Sequence, residues 1–223
     1  MRRHALCLPL LALIAAASPA QGQQTTDAEY EKVLNDRANK VLEKVPVAEE
    51  AKSTRIANAV KAYYRSIRDV DAERDAAITK LKEGGHKPDE AAVKAAQDAR
   101  QTKAEAVVAN LSETLAKDLS PEQVEAVKNQ ITYNVLDVTY DGFLAMLPDL
   151  TDAQKTYIRR QLTEARDKAL TGGSSNERHG WFGKYKGRIN NQLSKEGIDL
   201  KKASKDWADR RKAATTPSTG PNT

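Results

Sequence analysis

The chain has 223 residues, of which 30% are charged and only 5% aromatic, and its formal net charge is +5. This composition argues against a sheet or a thick globular core and favours long, solvated helices. The single cysteine, Cys7, lies within the first twenty residues, so the rest of the chain has no disulfide and no thiol chemistry. We therefore expect an all-α protein that is stable through packing alone.

The first twenty residues have the three parts of an export signal. Arg2 and Arg3 give a positive start, residues 5–17 are apolar, and Ser18-Pro19-Ala20 offers small residues at the cleavage positions. The apolar run has 13 residues, which is too short to cross a bilayer comfortably, and no second run is long enough. We expect residues 1–20 to be a signal peptide and the mature protein to be periplasmic or secreted, without a stable membrane span.

Positive charge is concentrated near the C-terminus. Between Arg178 and Lys212 there are eleven lysines and arginines against four acidic residues. Such a region attracts acidic ligands, including acidic sugars and anionic surfaces, although extra lysines on a solvated helix face give the same composition. Nucleic acid would suit it too, but export argues against that partner.

Residues 21–83 are predicted to contain one short and one long helix. Residues 21–47 contain a helix from about Asp27 to Lys44, which Pro46 separates from the next. A long helix is predicted from Ala48 to Glu83, because its apolar residues alternate between spacings of four and three. This heptad seam consists of Ile56, Val60, Tyr63, Ile67, Val70, Ala77 and Leu81.

A second long helix follows after a short connection. Gly84-Gly85 ends the first of the pair, and Pro88 opens the next, which runs to about Lys117. A short connection makes neighbouring helices antiparallel. We therefore predict a long, coiled-coil-like hairpin over residues 48–117, whose seam could also pair with another copy of the chain.

Residues 118–212 are predicted to form a compact C-terminal helical bundle, and the Thr- and Pro-containing residues 213–223 a disordered tail. Helices are expected in the bundle over residues 151–170, 175–195 and 199–212. Residues 131–148 are rich in β-branched and aromatic side chains. There we expect a buried irregular segment and a short helix near Asp141 to Leu147.

Two helices of the bundle begin with the same capping box, Ser120 to Gln123 and Thr151 to Gln154, each after a leucine. The Leu-Thr-x-x-Gln pattern is similar to the signature of the small periplasmic stress chaperones of the Spy and CpxP type, which cradle unfolded chains. Ordinary helix capping produces the same letters. A periplasmic chaperone or assembly factor acting through the hairpin is therefore an alternative function.

The residues richest in chemistry lie between His179 and Asn191. On a helix, Trp181, Tyr185 and Arg188 share one stripe, which suits stacking on a sugar and holding a carboxylate. The same cluster also suits an aromatic anchor for the last helices. Three glycines within eight residues would let a ligand or another backbone come close. The candidate ligand-binding residues are Trp181, Tyr185, Arg188, Asn191, His179, Lys184 and Tyr140.

Catalysis and metal binding have less support in the sequence. His179 is the candidate acid or base. Three carboxylates could orient it, those of Glu177, Asp137 and Asp141. A glycan-active enzyme that uses His179 is thus a further alternative, with no catalytic residue assigned. The only other mature histidine is His86, and no ligand-like spacing occurs, so we expect no metal and no cofactor.

A resemblance to a known family rests on three motifs after residue 171. They are Gly-Gly-Ser-Ser at 172–175, Trp-Phe-Gly-Lys-Tyr-Lys-Gly-Arg-Ile-Asn-Asn at 181–191, and Asp-Leu-Lys-Lys-Ala at 199–203, with Trp207 beyond. Here the chain resembles the secreted bacterial proteins called domain of unknown function 3826, and looser similarity covers nearly the whole mature chain. Members often occur alongside systems that degrade plant polysaccharides, pectin in particular. The resemblance implies a carbohydrate context and assigns no catalytic residue.

The leading hypothesis from the sequence is a non-catalytic, exported helical protein. Its partner would be an acidic oligosaccharide or another protein of a plant-polysaccharide utilisation system.

Overall fold

The computed structural model describes residues 27–83 and 87–215, and within them it contains helices and no strand. In chain order the helices are α1 (Asp27–Lys44), α2 (Glu50–Leu81), α3 (Glu90–Leu115), α4 (Pro121–Ile131), α5 (Val135–Met146), α6 (Asp152–Ala169), α7 (Ser175–Lys195) and α8 (Leu200–Thr215). The all-α prediction is confirmed. None of these described helices has the length and apolar character that a membrane span requires.

Three predictions fall wholly or partly on other residues. The signal peptide over residues 1–20 and the helix end at Gly84-Gly85 lie outside the described residues. The predicted tail overlaps α8, which continues to Thr215, so residues 213–215 are helical. Residues 216–223 lie outside the described part of the chain.

The long helices α2 and α3 lie side by side as the predicted hairpin. The first half of the heptad seam is buried, and its members expose 3% of their surface or less: Ile56, Val60, Tyr63 and Ile67. Beyond Ile67, no described residue of α2 is buried. There the two helices are joined by ion pairs, Arg100 with Asp71 and Lys103 with Glu73. The hairpin is therefore packed in one half and largely solvated toward its turn.

Two separate hydrophobic cores hold the chain together. The first is shared by α1, α2, α3 and α4, and the second by α5, α6 and α7, with α8 against it. The second core consists of Leu136, Phe143, Leu147, Leu150, Ile158, Leu162, Ala165, Ala169, Phe182, Tyr185, Ile189 and Leu193. Helices α5 to α8 thus have their own apolar interior, whereas α4, which was predicted as part of the C-terminal bundle, packs in the first core with the hairpin.

The connection after α6 joins the two cores. Leu170 is fully buried in the first core although it follows a helix of the second. The Tyr63 hydroxyl donates to the Leu170 carbonyl oxygen at 2.5 Å, which satisfies a carbonyl at the end of α6. Gly173 lies so close to Asp71 that a Cβ there would overlap the carboxylate. The hairpin and the bundle therefore meet at Leu170 to Gly173.

The structure corrects the prediction for residues 131–148. The buried irregular segment is wrong, because α5 begins at Val135 and Val138 is 66% exposed. Tyr133 and Asn134, with φ of 62° and 55°, make the turn between α4 and α5. Leu136 and Phe143, two turns apart, point into the second core. Packing of this stripe outweighs the β propensity of the segment, which is a weak preference.

Both predicted capping boxes are present. The side chains of Ser120 and Thr151 accept from the backbone N–H three residues on, and Gln123 and Gln154 accept in return from the capping residues. The starts of α4 and α6 were therefore predicted correctly from the sequence. Ser174 also caps its helix, but Glu177 accepts from the backbone of the residue before the cap instead.

Gly173→Ala should destabilise the protein by about 1–3 kcal/mol, because the new methyl group would displace Asp71 from Arg100, whose Nε donates to it at 2.7 Å. Gly142→Ala on α5 is the matched control, since the space around that Cβ position is open. It should be neutral or stabilising by up to about 1 kcal/mol. Urea unfolding measures both, and equal stability of the Gly173 variant and the wild type would contradict the tight contact.

A second link between the halves is an ion pair from α6 to α4. Arg166 is 2% exposed, and its Nη2 lies 2.5 Å from Glu125 Oε2. Burial of Glu125 by itself raises its pKa, but hydrogen bonds from Lys128 and Arg166 outweigh burial and hold the pKa of Glu125 below its ordinary value. The ionised carboxylate is thus favoured by folding.

This link predicts a pH dependence of stability. Because the pKa of Glu125 is lower in the folded protein, its contribution is complete above about pH 4.3, the ordinary value for glutamate, and is lost as the pH falls through the folded value. Between pH 7 and pH 3 the free energy of unfolding should fall more steeply for the wild type than for Glu125→Gln. Parallel curves would show that the pair contributes nothing.

Candidate functional site

Helix α7 carries most of the predicted site residues, and the fold divides them between two sides. Its inward side consists of Arg178, Phe182, Tyr185, Ile189 and Leu193. The predicted residues on the outward side are His179, Lys184, Arg188 and Asn191, all exposed. Trp181 lies between the two sides and is half-buried. This division follows from the 3.6-residue period of the helix.

Tyr185 is not available as a stacking surface. It is only 6% exposed and belongs to the second core. The Arg188 guanidinium covers its ring, with Cζ 4.5 Å from the ring centroid. The predicted role of Tyr185 in ligand binding is therefore corrected to a role in packing. Trp181, Tyr185 and Arg188 do lie along one stripe of the helix, but Tyr185 is on its buried side rather than on its exposed side.

Trp181 keeps part of its ring at the surface. It packs against the second core, and Lys184 Nζ lies 5.0 Å from its ring centroid. A cation held over an aromatic face is weakly attracted to it, by about 0.5–1 kcal/mol at an exposed site. A ligand can therefore contact the indole edge while Lys184 remains close.

Three glycines line the outward side of α7. Gly180, Gly183 and Gly187 follow the spacing that puts residues on one helix face. No atom of the described chain beyond their own helical neighbourhood lies within 4 Å of the Cβ position at any of them. Each glycine costs about 1 kcal/mol relative to alanine in a helix. The packing of this chain does not require the three glycines, so they leave a bare strip that we name the glycine face.

Cationic side chains border the glycine face. Lys184 and Arg188 lie on one side of it, and Lys186 and His179 on the other. Among the described residues, no carboxylate lies within ion-pair distance of Lys184, Lys186 or Arg188. Their charge is available to an external anion.

His179 is held by its own helix and by an aromatic neighbour. Its Nδ1 lies 2.9 Å from the Ser175 carbonyl oxygen, which can only accept, so Nδ1 carries the proton in this contact. The imidazole stacks on Tyr133, with centroids 5.4 Å apart and planes 19° apart. Nε2 is the ring nitrogen that is not engaged by Ser175.

The carboxylates proposed to orient His179 are engaged elsewhere. Glu177 accepts from the Gly173 N–H at 2.7 Å. Asp137 accepts from Arg159 at 2.9 Å and from Asn129 at 3.0 Å. Asp141 is exposed, and no contact joins it to His179. Within the described residues, none of the three predicted carboxylates contacts His179, which is oriented by the Ser175 carbonyl oxygen instead.

Tyr140 lies apart from the glycine face, on α5. It lines an open groove of about 690 Å³ together with residues of α6, where the Arg159 guanidinium lies 5.1 Å from its ring centroid. No residue of α7 lines this groove. The structure therefore does not bring Tyr140 together with the other six predicted residues. Within residues 27–83 and 87–215, no cluster of His, Cys, Asp or Glu side chains is suited to hold a metal ion.

A family model described as a protein of unknown function, DUF3826, matches residues 31–213. The chain belongs to the DUF3826 family. The match confirms the family resemblance and includes α7 with its glycine face. No curated protein matches this DUF3826 chain. Nothing in these comparisons supports the similarity to the Spy and CpxP chaperones, and the capping geometry of Ser120 and Thr151 accounts for those letters.

Sequence reasoning missed two residues next to His179. Arg178 is 2% exposed, whereas an arginine in a basic helix is ordinarily a surface residue. Tyr133 contacts both His179 and Arg178 across 45 residues of sequence. Asn134, a residue type that tolerates positive φ, was the one local signal of the turn that brings Tyr133 there.

Substitutions on the two sides of α7 should destabilise the protein to very different extents. Tyr185→Ala should cost about 3–5 kcal/mol, as for a large aromatic residue removed from a core. Arg188→Ala should change the free energy of unfolding by less than about 1 kcal/mol, because the side chain is exposed. Thermal and urea unfolding check both values. Comparable losses in the two variants would contradict the assignment of sides.

Proposed function

We propose that this DUF3826 protein is an exported, non-catalytic binding protein for acidic oligosaccharides, which it holds on the glycine face of α7. The observation that carries the proposal is a bare strip at Gly180, Gly183 and Gly187. It is bordered by Lys184 and Arg188, which lie over aromatic rings rather than beside carboxylates. Such a strip reduces the stability of α7 without serving internal packing, which makes an external partner the best explanation.

The chemistry of the face suits a sugar acid. A pyranose ring is broad, and the missing side chains let it come close to the helix backbone. Arg188 offers a planar fork of donors that matches a carboxylate, and Lys184 adds a point charge. Asn190 and Asn191 are exposed on the same side and supply amide donors and acceptors for hydroxyl groups.

Two observations favour an acidic rather than a neutral ligand. The region from Arg178 to Lys212 has a large excess of positive charge. The family resemblance implies a pectin context, and pectin is rich in galacturonate. Export, which the first twenty residues predict, would bring the protein to such a ligand.

The non-catalytic part of the proposal rests on His179. Its Nδ1 faces a carbonyl oxygen, and its ring stacks on a tyrosine. A histidine that lines a ligand needs no carboxylate partner, and none of the three carboxylates predicted to orient His179 contacts it.

The test uses the mature protein, titrated calorimetrically with oligogalacturonate and with a neutral pectic oligosaccharide. We expect binding of the acidic ligand, weakened by added salt, and none of the neutral one. The double variant Gly183→Ala/Gly187→Ala should be more stable than the wild type by about 2 kcal/mol, from the helix propensity of alanine, yet bind about tenfold more weakly.

Gly142→Ala, at an open helical position on α5, is the control that should gain stability and keep full binding. Arg188→Gln should weaken binding without loss of stability. Full affinity in the double glycine variant would refute the glycine face as the site. Binding of neither oligosaccharide would refute the ligand class and direct attention to a protein helix as the partner of the strip.

A further inference from the structure

Two arginines of the bundle are equally buried, and only one has a counter-ion. Arg166 and Arg178 are each 2% exposed. Arg166 contacts Glu125 and Asp167 and donates to Asn129. Among the described residues, no carboxylate lies within ion-pair distance of Arg178. A buried cation without an anion is costly, because it has lost its hydration and gained no opposite charge.

The hydrogen bonds of Arg178 satisfy only part of its guanidinium. Nε donates to the Gly172 carbonyl oxygen at 3.1 Å, and Nη1 donates to the Tyr133 hydroxyl at a long 3.4 Å. Nη2 is buried and has no hydrogen-bond partner. The Nη1–Nη2 edge is the part of a guanidinium that a carboxylate engages with two parallel hydrogen bonds. Within hydrogen-bond distance that edge meets only the Tyr133 hydroxyl, although the hydroxyls of Tyr63 and Tyr64 also interact with Arg178.

The surroundings of Arg178 add positive rather than negative charge. Arg178 lies in α7 four residues after the capping Ser174, near the positive end of the helix dipole. A second guanidinium, that of Arg37, stands 4.5 Å from the Tyr64 ring, and Arg178 stands 5.2 Å from the same ring. Arg37 also has no carboxylate within ion-pair distance among the described residues.

The neighbouring phenols do not supply the missing charge. Burial raises the pKa of the Tyr63 hydroxyl and that of the Tyr64 hydroxyl above their ordinary value, against the smaller opposite effect of Arg178. Both rings are therefore neutral at physiological pH. The site attracts an anion that the chain itself does not provide.

Tyr133 connects the Nη1–Nη2 edge to the protein surface. Its ring is 45% exposed and stacks on exposed His179, while its hydroxyl makes the long contact to Nη1. Exposed side chains change rotamer in picoseconds to nanoseconds. Tyr133 and Asn134 are both held at positive φ, and backbone strain of this kind is concentrated at functional sites.

We propose that Arg178 is the floor of a carboxylate-binding site, covered in this structure by the stacked pair of Tyr133 and His179. The carboxylate accepts from Nη1 and Nη2 once the Tyr133 hydroxyl moves aside. The site is distinct from the glycine face, because Arg178 lies on the inward side of α7. His179 borders both sites, and because its ring stacks on Tyr133, its signal should respond when Tyr133 moves aside.

The test exploits the two histidines of the mature chain. Their imidazole signals are followed by NMR in histidine-labelled protein during titration with sodium acetate, sodium galacturonate and sodium chloride. We expect saturable shifts of His179 with both carboxylates, and unchanged signals of His86, which serves as the internal control. A saturating chloride titration of equal strength, or no saturable shift of His179, would overturn the proposal.

Two variants at the site test the contacts themselves. Arg178→Met, which removes the charge and keeps an unbranched chain, should abolish the saturable shift. Tyr133→Phe should increase carboxylate affinity several-fold, because it frees Nη1, and a gain of affinity cannot arise from damage to the fold. A shift that persists in Arg178→Met, or unchanged affinity in Tyr133→Phe, would overturn the proposal.

A third variant separates this site from the proposed function. Gly183→Ala/Gly187→Ala should leave the acetate response of His179 unchanged, since those methyl groups lie on the outward side of the helix. Loss of the acetate response in this variant would show that the two sites are one. We expect an unchanged response of His179 to acetate together with weakened oligosaccharide binding.

Discussion

The connection from Leu170 to Gly173 is the contact on which the arrangement of the two halves depends. Each half has its own core, so neither needs the other to bury its apolar side chains. Leu170 crosses from one core to the other, and Tyr63 fixes its carbonyl oxygen. Gly173 then lets α7 begin directly against Asp71. This short segment therefore sets the direction of α7, and with it the orientation of the glycine face.

The acidic side chains near that connection have partners within the chain, whereas the arginine that follows them lacks a carboxylate among the described residues. Asp71 is already engaged by Arg100, and Glu177 accepts from the Gly173 N–H, so the acidic groups nearby serve to dock the segment. Arg178 follows immediately and is left without an acid. The same docking that positions α7 thus creates a buried guanidinium whose partner has to come from outside.

Much of the fold could be read from the sequence because its signals are local. The boxes at Ser120 and Thr151, the heptad seam and the breaks between helices each lie within a few residues. The helix predicted near Asp141 to Leu147 is present as the second half of α5, but its first half was missed because Leu136 and Phe143 pack on other helices, which outweighs local propensity. At the site, the outward residues of α7 followed from period and composition. The burial of Arg178 involves Tyr133, 45 residues before it, and that of Tyr185 depends on the packing of α7 on the second core.

The half of the hairpin beyond Ile67 has a consequence for how the protein responds to stress. No described residue of α2 after Ile67, and none of α3 before Ala104, is buried. In this arm the two helices share ion pairs and half-buried side chains rather than a buried core, and the pair of Asp71 and Arg100 also docks Gly173 of the bundle. The part of the arm beyond that docking contact is therefore expected to open at a lower free energy than either core. Local unfolding at this end of the hairpin would therefore leave the bundle that carries the candidate sites folded.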